Sequence, residues 1–177
     1  IKKHLESPQG EEDFYDFRSQ KTKLKVIRVD INLPVYRMEN FRTYTDQREF
    51  IAKEKLDADH FLKGQELQSV QQQQHEILKK LAAKGKSGSV TPIIDVLQNE
   101  GQRERILISS TGVVINGNRR LAAMREIGEH YVDCMVLPAD ATADEIVDIE
   151  ANLQAKPETK LDYDWIGDAQ LINRLVH

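Results

Sequence analysis

Cysteine is nearly absent. Cys134 stands alone in 177 residues, so no intrachain disulfide can form and the chain suits a reducing compartment. Long apolar runs are missing too: none approaches the ~20 residues that a membrane-spanning helix needs. No signal-like segment opens the chain, so a cytoplasmic protein with no membrane partner is expected. Basic charge is not in excess. Lysine and arginine total 25 against 29 acids, a net charge of −4, and the pI near 5.8 excludes a surface that holds nucleic acid by bulk electrostatics. Any DNA contact should be local or made by regions outside this stretch. The histidines, His4, His60, His75, His130 and His177, show no metal-ligand spacing. Because it starts at Ile1 and stops inside the apparent helix Leu171 to Val176, the chain reads as a fragment.

What is present supports one main core, since 40% of the residues are apolar. Residues 1–24 read as a charged N-terminal arm with Phe14, Tyr15 and Phe17 as its apolar anchors, and no structure is assigned to them. Residues 25–140 form an α/β core with an insertion at about 41–75, and 141–177 form a helical segment. In Lys25 to Leu33, Ile27, Val29, Ile31 and Leu33 alternate with Arg28, Asp30 and Asn32, the pattern of a half-buried strand that Pro34 ends. Residues 35–64 suit short helices or loop. Over 65–84, Leu67, Val70, Gln74, Ile77, Leu78 and Leu81 recur at helical steps, and the glutamine run reads as the solvated face of that helix. Gly85-Lys86-Ser87 is not a P-loop, because no glycine stands five residues before Gly85 and the loop leaves a helix rather than a strand. Thr91 to Leu97, short and rich in β-branched residues, predicts a buried strand.

The most informative stretch is Asn116-Gly117-Asn118-Arg119-Arg120. Arg105 to Ile108 and Val113 to Ile115 flank Thr111-Gly112 as a hairpin, and Leu121, Met124 and Ile127 then recur at helical spacing up to Gly128. Asn116 is the expected N-cap. Two arginines in the first turn oppose the helix macrodipole at roughly 0.3 to 1 kcal/mol each when exposed, unless an anion sits between them. Backbone N–H groups, a glycine allowing close approach and two guanidinium forks make a phosphate cradle. The alternative is that Arg119 and Arg120 are solvated or paired with nearby acids. Tyr131 to Pro138 predicts a further strand in which Cys134 is a small core hydrophobe, with no feature that would activate a thiol. Thr142-Ala143-Asp144-Glu145 is a capping box. Its helix turns Ile146, Ile149 and Leu153 inward and leaves Glu150 and Gln154 on a polar side, with Asn152 on a flank. Lys156-Pro157 closes that helix, and a last one starts after Asp162 or Asp164 to bury Trp165, Ile166, Ala169 and Ile172.

In this order the elements resemble the ParB/sulfiredoxin superfamily, and its ParB N-terminal domain in particular. Gly117-Asn118-Arg119-Arg120 is similar to that family's Gly-Glu-Arg-Arg box. Asn40-Phe41-Arg42-Thr43 resembles its Asn-Pro-Arg segment, Thr91-Pro92-Ile93-Ile94 its Gln-Pro-Ile strand, and Ala151-Asn152-Leu153-Gln154-Ala155 its Glu-Asn-x-Gln-Arg segment. The resemblance spans residues 25–177. It implies an α+β fold: a small mixed sheet with packed helices, ParB/sulfiredoxin-like, plus a helical C-terminal extension. It also implies a nucleoside triphosphate, CTP in the ParB branch, held with Mg²⁺ between the arginine helix and the polar helix. The implied contacts are Asn116, Gly117, Asn118, Arg119 and Arg120 on one side, and Glu150, Asn152 and Gln154 on the other. Arg42 and Thr91 complete the set. The sequence departs from the family at Asn118, where glutamate is usual, at Ala151, where an acid would help hold Mg²⁺, and at Ala155, where the closing arginine would stand. Glu150 would replace that acid only if the helix rotated, since neighbouring positions point about 100° apart.

The resulting expectation is a nucleotide-binding switch domain of a DNA-associated protein, such as a chromosome or plasmid partition factor, with DNA held by regions outside this stretch. A weak NTPase activity and a homodimer both stay open. A phosphotransferase or nuclease using the same phosphate site is a second class, although Asp148 and Glu150 do not share a helix face. A thiol-based sulfiredoxin chemistry is excluded, because Asn118 stands where that branch needs cysteine. The third class is a protein-interaction module whose arginines bind an acidic partner and no nucleotide.

Overall fold

The computed structural model describes residues 1–84 and 91–153. Five strands form one sheet: β1 (Gly10–Phe17), β2 (Gln20–Asp30), β3 (Ile106–Ile108), β4 (Val114–Asn116) and β5 (Tyr131–Val136), in the order β1-β2-β5-β3-β4. The β3–β5 pairing is parallel and the others antiparallel, so the sheet is mixed. The helices are α1 (Lys2–Glu6), α2 (Tyr44–Glu54), α3 (His60–Lys63), α4 (Gln68–Ala83), α5 (Ile93–Glu100), α6 (Asn118–Glu126) and α7 over residues 143–153. This is the expected α+β class. No helix among the described residues is long and apolar enough to cross a membrane.

Alternation along the strands sorts the core onto two faces. Ile27, Val29, Ile106, Ile108, Val132, Cys134 and Val136 meet Leu78, Leu97, Leu121 and Met124 from α4, α5 and α6 on one face. Phe14, Phe17, Leu24, Leu107 and Ile115 meet Ile149 of α7 on the other. A third, smaller cluster of Met38, Phe61, Val70 and Ile77 lies inside a lobe made by α2, α3 and the start of α4.

Several expectations change. Residues 1–24, read as an unstructured arm, supply α1, the edge strand β1 and the start of β2. Arg18 and Ser19 turn the chain with φ of 55° and 51°, the left-handed pair of a tight hairpin. Arg18 then lies 4.4 Å from the centroid of the Phe17 ring and reaches Glu145 at 2.7 Å. Leu33, expected inward, is 41% exposed because β2 ends at Asp30. Thr91 to Leu97 is not a strand. Pro92 caps α5, Asp95 favours its first turn, and Gly101 ends it with φ 71°. Ile93, Ile94 and Leu97 pack on the core from one face, so helical burial outweighs the small cost of β-branched residues. The glutamine run is not uniformly solvated either, since Gln74 is fully buried. Gln154 and the helix predicted after Asp162 or Asp164 lie outside the described residues.

Candidate functional site

The site begins with the extended segment after Pro34, which pairs with no strand of the sheet beyond one bridge from Val35 to Val113. Glutamine side chains stand in for a neighbouring strand. Gln71 accepts the Tyr36 N–H at 2.9 Å and donates to the Tyr36 carbonyl at 3.0 Å, while Gln65 accepts the Met38 N–H at 2.9 Å. A carboxamide offers the same donor and acceptor as a peptide group, so it satisfies buried backbone as a ladder would. Further along, Gln47 donates to the Met38 carbonyl and to Gln74, which donates to Thr43. Behind this segment Tyr36 bonds His75 at 2.7 Å, and His75 bonds Glu126 at 2.7 Å. Burial pushes the Tyr36 phenol up to about 12, so it is a neutral structural partner at any physiological pH.

With Tyr36 clipped by Gln71 of α4 and Met38 by Gln65 and by Gln47 of α2, Arg37 turns to other groups. Its N–H donates to the Asn118 carboxamide oxygen at 3.2 Å, at the first residue of α6. Its guanidinium meets Glu150 of α7 at 3.3 Å and Glu39 at 3.2 Å. Arg37 and Glu150 are both buried, Glu150 to 1% exposure. Glu150, expected on a solvated polar face, is therefore one half of a buried ion pair. Sequence reasoning missed Arg37, because nothing in Tyr36-Arg37-Met38-Glu39 distinguishes a buried arginine from a surface one.

At the mouth of α6 the N-cap is Gly117 with φ 103°, not Asn116. A Cβ at Gly117 would stand 3.0 Å from Ile106 Cγ1 and 3.5 Å from Arg120 Nη2, so the glycine serves close packing as well as its left-handed backbone. Asn116 instead accepts from Arg120 at 2.9 Å. Arg120 also donates to the carbonyls of Glu104 and Arg105 at 3.1 Å and 3.4 Å, and pairs with Glu104 at 3.3 Å. Its head group thus pins the entry to β3. Burial lowers its pKa, Glu104 opposes that, and the charge of Arg42 adds to it, so two guanidiniums from distant segments lie within electrostatic reach. Arg42 and Arg119 each have a further interaction of their own.

The structure therefore gathers Asn116, Gly117, Asn118 and Arg120 at the start of α6 and links them to Glu150 through Arg37, with Arg42 near enough for its charge to act on Arg120. Asn152 lies on the exposed flank of α7 and Thr91 is exposed ahead of α5. Beside this cluster is a hollow of about 380 Å³ lined by Arg37, Phe41, Tyr44, Arg48, Phe61, Val147 and Glu150, among others. Cys134 is fully buried in the sheet core, where it pairs with Ile106, and burial pushes its thiol up to about 12. Among the described residues no three His, Cys, Asp or Glu side chains stand close enough to hold a metal ion. An all-protein Mg²⁺ site does not fit them; Mg²⁺ carried largely by ligand phosphates and water would.

No family model matches the chain, and no curated protein does. Among solved structures, it is similar to a Pnob8-like ParB-N domain at 13% identity, with a TM-score of 0.33 over 64% of this chain. The match spans 29% of the length of that solved chain.

Proposed function

We propose that this chain is a ParB-like, CTP-type nucleotide-binding switch domain of a DNA-associated protein, in which the triphosphate sits at the mouth of α6 beside Arg37 and Arg42. One observation carries the reading: Arg37 donates its backbone N–H to the first residue of α6 while its buried guanidinium pairs with Glu150 of α7. Anions favour helix N-termini, and a polyanion there would also offset the charge that Arg42 brings to bear on Arg120. A phosphate oxygen arriving there competes with Glu150 for Arg37. Loss of that pair loosens α7 from the 36–42 segment, which couples ligand binding to the position of the helix. Arg120 is a positioning residue in this scheme, because its donors already hold β3 and Asn116.

The test is calorimetry on the whole chain with CTP, ATP, GTP and UTP, each with Mg²⁺, at two salt concentrations. Binding of at least one nucleotide, weakened by salt and by Arg42→Ala about tenfold or more, is expected. Absence of heat with every nucleotide overturns the reading in favour of an interaction module. Release of inorganic phosphate, followed in the same samples, reports NTPase or phosphotransfer chemistry.

A further inference from the structure

We propose that the hollow between α2, α3 and α7 is a binding site for the planar heteroaromatic base of a nucleotide, which stacks on Phe41 and Tyr44. The inference rests on the phosphate reading above and adds the other half of the ligand. Phe41, Tyr44, Leu62 and Val147 are 66%, 60%, 56% and 37% exposed, and all four line the same hollow. Apolar side chains scattered singly on a surface are ordinary, but four around one concavity mark a place built to be covered. Its volume, about 380 Å³, lies within the ~300–1,000 Å³ range of small-molecule sites.

The chemistry of the rim selects a flat ring. Arg48 holds its guanidinium 5.9 Å from the centroid of the Tyr44 ring, and an arginine beside an exposed aromatic is the platform on which bases stack. Asp59, ion-paired to Lys63 at 2.7 Å, adds an ionised acceptor to the lining for a ring N–H or exocyclic amine. An aliphatic ligand would use neither group. The hollow meets the cationic end of the site at Arg37. Phe41 precedes Arg42 in the chain, and Arg37 and Glu150 line the hollow while the Arg37 backbone N–H donates to Asn118 at the mouth of α6. A molecule with an aromatic head in the hollow therefore carries its anionic tail to the arginines. That arrangement also covers the exposed rings only when ligand is bound, which couples α2 and α3 to α7.

The experiment compares the best-bound of CTP, ATP, GTP and UTP with inorganic tripolyphosphate, all with Mg²⁺, on the whole chain. Variants are the double change Phe41→Ala with Tyr44→Ala, and the double change Phe41→Leu with Tyr44→Leu, which keeps apolar volume but removes the rings. Both side chains are more than half exposed, so neither pair should disturb the core. The nucleotide should bind the parent at least tenfold more tightly than tripolyphosphate. Both double variants should reduce it to the tripolyphosphate level and leave tripolyphosphate unchanged, with upfield shifts of the base protons seen only with the parent. Equal affinity of nucleotide and tripolyphosphate, or nucleotide binding that ignores the variants, overturns the inference and leaves the phosphate reading standing. No heat from either ligand overturns both. A dimer that either variant converts to a monomer, with nucleotide affinity unchanged, assigns the face to a second copy of the chain and overturns the inference as well.

Discussion

Around the sheet, Leu121, Ile106, Ile108 and Cys134 are fully buried and pack on one another across a continuous apolar layer. In the lobe of residues 36–78, a small cluster of Met38, Phe61, Val70 and Ile77 is supplemented by side-chain amides that clip the 36–43 segment in place. The first arrangement gains stability from buried area and tolerates no ligand within it. The second depends on hydrogen bonds whose net worth is small while all are made and whose loss is costly. A ligand can shift such a region without unfolding the rest. The exposed rings and the buried Arg37–Glu150 pair both belong to the boundary of this second region.

The comparison breaks if the two regions respond alike. Leu121→Ala should lower global stability by about 2–5 kcal/mol, seen as a shifted urea midpoint with unchanged slope. Gln74→Ala, which removes one buried partner each from the Gln47 amide and the Thr43 hydroxyl, should cost about 1–3 kcal/mol. Its loss of amide-exchange protection should concentrate in residues 36–47, and an equal loss throughout the sheet would make the molecule one cooperative unit. Glu150→Gln keeps the shape of the side chain and removes its charge from Arg37. It should raise nucleotide affinity about three- to tenfold, a coupling of ordinary allosteric size, and an unchanged affinity would show that the pair is no latch.

The smallest effect concerns the start of α7. Arg18 and the Thr142 cap hold the Glu145 carboxyl down from 4.5 to about 2. A carboxyl lowered on folding stabilises the fold above its unfolded value and ceases to as pH falls through its folded value. The contribution should therefore be complete above pH 4.5 and fade toward pH 2, the two values that bound the shift. Amide exchange at the first turn of α7 across that interval should change in the parent and stay flat in Glu145→Gln.

Much of the sheet was legible because its signals are local. Val132, Cys134 and Val136 alternate inward as expected, the β3–β4 hairpin follows its turn residues, and the capping box closes with Glu145 accepting from Thr142 at 2.9 Å. Where the reading missed, two local preferences compete or none is visible. β1 carries Glu11, Glu12, Asp13 and Asp16 as an edge strand, so its composition mimics an unstructured arm, and Arg18-Ser19 lacks the Asn-Gly signature of its turn. Ile93, Ile94, Val96 and Leu97 suit a strand or a buried helix equally until a packing partner is known. Within the candidate site, the glycine and the two arginines announced a helix mouth, yet Arg37, Phe41 and Tyr44 carried no pattern that set them apart.

By itself the order of residues determined the alternation of β2 and β5, the β3–β4 turn, the start of α7, and that two arginines stand in the first turn of α6. Those are properties of neighbours within a few positions, where steric and capping preferences act. Only the tertiary structure decided that Arg120 pins β3, that Glu150 is buried against Arg37, and that glutamines replace a missing strand. Each depends on groups brought together from far along the chain, and whether a buried charge or amide stabilises the fold is set by the partner it meets rather than by its own chemistry.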